Sequence, residues 1–296
     1  MADSSPLATS LSALADVLKR EQRRGMPFRG IQPESEEILR GLPVEFMRLS
    51  QVAEQPKATP ISTLVAESTP APVTESTERT EEWARAELRK ICQDLKSSES
   101  LKALGTLRDI VVFPAGNPLA DLMFVGEAPG VEEEKERKPF VGPAGQKLTQ
   151  IVEAMGLTRE KVYLSNILKF RPKKGDGRFQ GASNRLPNPD EMAASMEYVR
   201  REIAVVQPKV IVALGGTAAE ALLEVGGSIA SLRSKIHNFE GIPLVVSHHP
   251  SYVLRQETER GKDESKETKR SVWEDMLQVM ELVGLPISEK QRGYFA

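Results

Sequence analysis

The sequence predicts an α/β fold, a parallel sheet with helices packed on both faces. Two observations carry this. From about Arg108 onward, short apolar runs rich in β-branched residues alternate with stretches of helical periodicity. The short runs are apolar almost throughout, as strands covered on both faces are, where one-sided strands alternate apolar with polar. No internal repeat is evident.

Taken in order, strands are predicted at 122–125, 162–164, 210–214 and 244–247, and helices at 144–155, 189–206, 217–225 and 271–283. A further helix is predicted at 81–95, where Ala84, Leu88, Ile91 and Leu95 share a face. Residues 6–24 place Leu7, Leu11, Leu14 and Leu18 at helical spacing behind Ser5 and Pro6, while a shorter patch at 35–47 is interrupted by Gly41 and Pro43. Residues 51–80 are rich in Pro, Ser, Thr, Ala and Glu without an aromatic ring, too little apolar surface to offset the entropy of ordering. The expected plan is an N-terminal helical extension (1–50) suited to docking a partner, a flexible linker (51–80) and one α/β domain (81–296).

Composition narrows the function classes. With 40 basic and 42 acidic residues the formal net charge is −2, so any contact with nucleic acid is local and not a property of the whole surface. The single cysteine, Cys92, excludes a disulfide framework and any all-cysteine metal or iron–sulfur site within a monomer. Three histidines, His237, His248 and His249, lack the cysteine or carboxylate spacing of a zinc site, so no cofactor is expected. No apolar run is long enough to span a bilayer and residues 1–7 carry Asp3 and no basic cluster, so a soluble, cytoplasmic monomer is expected.

Ligands of open α/β sheets sit at the carboxyl ends of the strands, which singles out segments 126–130, 166–171, 215–217 and 248–255. The first is Gly126-Glu127-Ala128-Pro129-Gly130, followed by Glu132, Glu133 and Glu134 and then by Pro139-Phe140-Val141-Gly142-Pro143-Ala144-Gly145. Glycines around a proline preset a turn whose amides approach a ligand closely, although an ordinary strand-to-helix connection looks the same. The spacing fits neither the dinucleotide fingerprint nor the triphosphate-binding lysine motif. In the second segment, Asn166 offers one donor and one acceptor, enough to read the edge of a base or to cap a turn. The loop after it holds Lys169, Arg171, Lys173, Lys174, Arg178 and Arg185 against Asp176, a local basic patch suited to phosphates. In the last, His249 is a candidate donor to developing negative charge, or a structural histidine, with Ser251, Leu254 and Arg255 following it.

Residues 108–117, the Gly-Glu-Ala-Pro-Gly motif, Pro139-Phe140-Val141-Gly142, the 166–171 segment, Asn184-Arg185-Leu186-Pro187, Ala213-Leu214-Gly215 and His249-Pro250-Ser251, in that order, closely resemble the family 4 uracil-DNA glycosylases. The resemblance runs over roughly 107–285 and fails upstream. It implies a three-layer αβα fold on a four-stranded parallel sheet, and hydrolysis of the N-glycosidic bond of deoxyuridine in single- or double-stranded DNA during base excision repair. Glu127 and Glu133 become the acids that hold the attacking water or shape the pocket, with Ala128 against the base. Phe140 becomes the ring that stacks on uracil, and Asn166 the reader of its edge, accepting from N3 and donating to O4. His249 becomes the donor to O2. Lys169, Arg171, Arg185, Ser251 and Arg255 become DNA contacts and Leu254 a wedge beside the flipped nucleotide. Alternatives are removal of another deaminated base, hypoxanthine or xanthine, and a non-catalytic module that binds uracil-containing DNA.

Family 4 enzymes hold a four-iron cluster through four cysteines, and here two of the corresponding positions are Phe170 and Ser195, while the upstream pair is missing in the stretch 99–102. The loop 173–183 is longer than its counterpart and carries no histidine where covalent-trapping relatives have a nucleophilic one, which implies ordinary turnover.

Overall fold

The computed structural model describes residues 79–295; the predicted helices at 6–24 and 35–47, and the predicted linker up to residue 78, lie outside them. The chain enters through helices α1 (Glu81–Ser97) and α2 (Glu99–Ala103), then strands β1 (Leu107–Val111), β2 (Ala115–Gly116) and β3 (Leu122–Gly126). Helices α3 (Val131–Glu136) and α4 (Pro143–Ala154) lead to β4 (Tyr163–Asn166) and β5 (Phe170–Pro172). Then come α5 (Pro189–Val206), β6 (Val210–Leu214), α6 (Gly216–Leu223), α7 (Ile229–Leu232), β7 (Ile236–Phe239) and β8 (Ile242–Ser247). Helices α8 (Pro250–Glu264), α9 (Lys266–Val283) and α10 (Glu289–Arg292) close the chain. No helix among the described residues is long and apolar enough to cross a membrane.

Four parallel strands in the order β4-β3-β6-β8 form the centre of the sheet, and the short strands β2 and β7 add antiparallel edges. The four central strands are the four predicted ones. The edges escaped prediction because β2 is two residues long and β7, Ile-His-Asn-Phe, mixes polar with apolar and is half in solvent. Strands β1 and β5 pair separately as a small antiparallel ribbon.

Period-two alternation sorts the buried strand residues into two cores. Leu122, Phe124, Leu164, Val210, Val212 and Val245 face one way, against Leu148 and Val152 of α4 and Trp273, Met276, Val279 and Met280 of α9. Met123, Val125, Tyr163, Ile211, Ala213, Leu244 and Val246 face the other, against Ile91 of α1, Val199 and Ile203 of α5, and Ala219 and Leu222 of α6. Removing Phe124, which is fully buried between the layers, would cost about 3–5 kcal/mol. Local signals agree with this packing. Asn188 and Glu191 form a reciprocal capping box that spans Pro189, and α9 stops at Gly284, whose φ of 80° suits only glycine comfortably.

Candidate active site

The parallel ladder of β3 and β4 registers Gly126 beside Asn166, and two further backbone bonds, from Ile167 N to Gly126 O (2.9 Å) and from Leu168 N to Glu127 O (3.0 Å), continue the pairing past the strand ends. This zipper puts the Gly126–Gly130 turn and the start of the next loop side by side. A cleft of about 600 Å³ opens there, lined by residues from the carboxyl ends of β3, β4, β6 and β8. All four strand-end segments singled out in the sequence contribute to it.

Gly126 is where the ring and the amide meet. A methyl group on it would lie 2.4 Å from Oδ1 of Asn166 and 2.6 Å from Cζ of Phe140, so only glycine lets both side chains close in. Asn166 is 4% exposed, yet no described residue hydrogen-bonds its side-chain amide. The residue lines the open cleft, so its unengaged amide is available to a ligand there. The Phe140 ring is buried and stands 6.4 Å from the His249 ring, centroid to centroid.

Phe140 has a φ of 55°, unusual for a residue with a β-carbon, and four hydrogen bonds around it hold the loop in place. Glu133 Oε1 accepts hydrogen bonds from the backbone nitrogens of Val141 (3.0 Å) and Gly142 (2.8 Å), while its Oε2 accepts from Gly130 N (3.1 Å). Arg159 donates to Pro139 O (3.0 Å) from the other side. Gly145 allows α4 to pass beneath, since a methyl there would sit 1.9 Å from Phe140 O. Glu133, expected to hold the attacking water or to shape the pocket, spends both oxygens on fastening the Phe140 loop to the Gly130 turn. The geometry favours the second of those roles, because a carboxylate engaged by three amides has little left for a water.

The three consecutive glutamates have separate fates. Glu132 is half in solvent and pairs with Lys135 at 3.1 Å, Glu133 fastens the loop, and Glu134 is buried in ion pairs with Arg108 and Arg171. Glu127, the other expected acid, lines the cleft beside the Asn166 strand end. Burial pushes its pKa up, partly offset by a hydrogen bond from Thr217. Thr217 lies in the singled-out segment 215–217 but was given no role, because its local sequence does not show which side chain of the β3 turn it meets.

At the end of β8, Ser251 N lies 3.2 Å from His249 Nδ1 and Ser251 Oγ 2.8 Å from it. Burial pulls the His249 pKa down to about 4, with Glu133 as a weaker opposing influence, so the ring is neutral near pH 7. His249 packs on Gly215, where a methyl would come within 3.1 Å of its Cβ. Behind it, His248 stacks on Tyr252 (4.7 Å) and contacts Arg233 (3.2 Å), which is held by Asp275, as is Ser247 Oγ (2.7 Å). His248 is also held neutral, its pKa near 4, first by burial and then by the Arg233 charge.

The expected phosphate contacts separate into two groups. Lys169 and Arg171 are internal, 3% and 2% exposed, which corrects the expectation for both. Lys169 pairs with Glu202 at 3.1 Å and donates to the backbone carbonyl of Asn166, tying it to the end of β4. Arg171 bonds Glu134, Asn184 Oδ1 (2.9 Å), Gly181 O (2.8 Å) and Ser183 O (2.9 Å), so its fork is fully used in shaping the loop. Arg185 lines the cleft, but Glu191 and Lys173 O occupy its guanidinium. Ser251 and Arg255 are exposed on the cleft wall, with Arg255 5.6 Å from the Tyr252 ring. Leu254 is half-buried on α8 and is not among the residues that line the cleft. Ala128 lines it, as expected. Asn184 and Tyr252 line it too. The sequence flagged Asn184 only as part of a motif, and Tyr252 only by its place after His249.

A parallel sheet whose strand ends gather an aromatic ring, an unengaged amide and a neutral imidazole around one cleft defines an α/β protein with its candidate site at the carboxyl edge of the sheet. Residues 113–277 match the uracil DNA glycosylase superfamily. The chain is 36% identical over 196 residues to the type-4 uracil-DNA glycosylase of Thermotoga maritima, an alignment covering 66% of this chain and 94% of that protein. It is 36% identical over 176 residues to the type-4 enzyme of Sulfurisphaera tokodaii (56% of this chain, 76% of the relative), and 28% over 155 residues to the type-5 enzyme of Pyrobaculum aerophilum (47% and 64%). The chain belongs to the uracil DNA glycosylase superfamily.

The cluster-binding positions implied by family 4 do not fit an iron–sulfur group. Phe170 packs against the apolar core that contains Leu101 of α2, and Ser195 is buried on α5 with no thiol to offer. Cys92 is one residue on α1, and burial raises its pKa away from the thiolate form a cluster needs.

Proposed function

We propose that this chain hydrolyses the N-glycosidic bond of deoxyuridine in DNA, releasing uracil and leaving an abasic site. The observation that carries this reading is the convergence of Phe140 and Asn166 on Gly126, opposite a neutral His249. A flipped uracil lying on the Phe140 face would present N3–H and O4 to the Asn166 amide, which offers one acceptor and one donor. Cytosine reverses both, with an acceptor at N3 and an amino donor at C4, and an amide held in this orientation disfavours it. An unpaired polar group left in a site built to hydrogen-bond it is the strongest source of discrimination between similar ligands.

Cleavage leaves the electron pair of the sugar–base bond on uracil, with negative charge growing on O2. A neutral imidazole whose Nδ1 accepts from Ser251 carries its proton on Nε2, and that N–H donates to O2 as the charge develops. The sugar passes through an oxocarbenium-like state and is captured by water, whose proton goes to Glu127. Burial makes the Glu127 carboxylate more basic than usual, which suits that task. Arg255 and Ser251 on the rim are the remaining candidates for phosphate contacts.

The test is incubation with single-stranded and duplex oligonucleotides carrying one uracil, followed by alkali. Strand breaks at the uracil position, absent with thymine there, are expected. Intact strands with uracil and breaks with hypoxanthine or xanthine would transfer the activity to another deaminated base. Retention of uracil DNA with no break would make the chain a binding module.

A further inference from the structure

The loop from Lys173 to Leu186 carries a feature that base recognition leaves unused. Phe179 is 96% exposed, more than any other large apolar side chain among the described residues, and Leu186 follows on the same loop at 69%. A ring on a slack loop would fold back onto apolar surface, as the hydrophobic effect favours. This loop is not slack. Gln180, the next residue, is buried, donating to Pro172 O (2.9 Å) and Ser183 O (3.0 Å) and accepting from Lys174 N (3.2 Å). On the other side, Arg108 donates to Gly177 O (2.8 Å). Phe179 is thus presented to solvent between two anchored stretches of backbone.

Its neighbours suit a polyanion. Lys174 and Arg178 are exposed, and the loop's acid, Asp176, is taken by Arg178 at 2.7 Å. Asn184, Arg185 and Leu186 of the same loop line the base cleft. Asn184 is five positions along from Phe179, so the chain itself limits their distance to at most roughly 18 Å.

We propose that Phe179 is a stacking platform for an unpaired base of the substrate strand, a short distance along from the nucleotide held in the cleft. The proposal rests on the reading of the chain as a DNA-acting glycosylase. Aromatic faces stack on any exposed base, so the contact adds affinity without sequence preference. A base inside a duplex is already stacked on both faces, so the platform serves single-stranded DNA first.

The experiment compares wild type with Phe179→Ala and Phe179→Trp on the same uracil oligonucleotide, single-stranded and annealed. Phe179→Ala is expected to raise KM on the single strand roughly fivefold or more, with kcat within about twofold and a smaller change on the duplex. Phe179→Trp is expected to restore KM. In a second measurement, Phe179→Trp is titrated with a single-stranded oligonucleotide that contains no uracil. Stacking quenches the added tryptophan fluorescence relative to wild type, whether or not the protein removes a base. Unchanged KM in Phe179→Ala, or no quenching, overturns the platform even if wild type releases uracil. Quenching without uracil release keeps the platform and overturns the glycosylase reading instead.

Discussion

The backbone amide of Ser251 donates to Nδ1 of His249 at 3.2 Å, which leaves Nε2 as the nitrogen that carries the proton of the neutral ring. With its pKa drawn down to about 4 by burial, the imidazole is a neutral donor across the physiological range. Nitrogen-detected NMR is expected to show the Nε2–H tautomer of His249 from pH 8 down to about pH 5 in the free protein. His249→Ala is expected to lower kcat about 10²–10³-fold, the usual loss for one donor to a developing anion. Ser251→Ala keeps the amide and should leave the tautomer unchanged; a switch to Nδ1–H would remove the basis of this assignment.

The same pKa values set a stability trend. His248 and His249 both fall from 6.5 to about 4 on folding, so the unfolded chain binds more protons between those values. Their contribution is complete above pH 6.5 and is lost as pH falls toward 4. Urea midpoints should decline across that window. Less of the decline should remain in His248→Asn.

Glu127 titrates in the opposite functional sense. Its carboxylate is the active form and its pKa is raised above 4.5 by burial, so the acid limb of kcat/KM is expected above the ordinary glutamate range. Glu127→Gln should cost about 10²–10⁴-fold in kcat and abolish that limb. An unchanged limb in the variant would assign the water to another group.

Gly126→Ala is expected to abolish uracil release while leaving the thermal midpoint nearly unchanged. The added methyl meets side-chain atoms of Asn166 and Phe140, at 2.4 and 2.6 Å, and not backbone. Both groups must shift to admit it. Glu133→Ala should do more damage to the fold, because three backbone amides lose their acceptor at about 1 kcal/mol or more each.

Basic residues near the cleft divide into structure and surface. Arg255→Ala is expected to weaken DNA binding at every sequence and reduce the slope of log K against log salt by about 1. Lys169→Met and Arg171→Met should leave that slope unchanged and act on stability instead, since each side chain is buried against a glutamate. A reduced slope in Lys169→Met would show that the residue reaches DNA.

Much of this molecule is legible in one dimension. The central strands are continuous apolar runs, 122–125 and 210–214 among them, and a run that apolar has no stable place except between two helical layers. Residues that follow such strands must lie on one edge of the sheet, so Glu127, Asn166 and His249 could be grouped from the sequence, and motif order extended the group to Phe140. Sequence alone did not divide their labour. Lys169 and Arg171 read as part of a basic patch because sequence records charge but not its partners, and Glu202 and Glu134 lie 33 and 37 positions away. For Glu133 the sequence left open holding water or shaping the pocket, because the amides that consume it belong to a loop eight and nine residues on. Hydrogen-bond partners and burial are set by which segments the fold brings together. Only the tertiary structure could make one glutamate a fastener, its neighbour Glu134 a buried counter-ion, and Glu127 the acid facing the cleft.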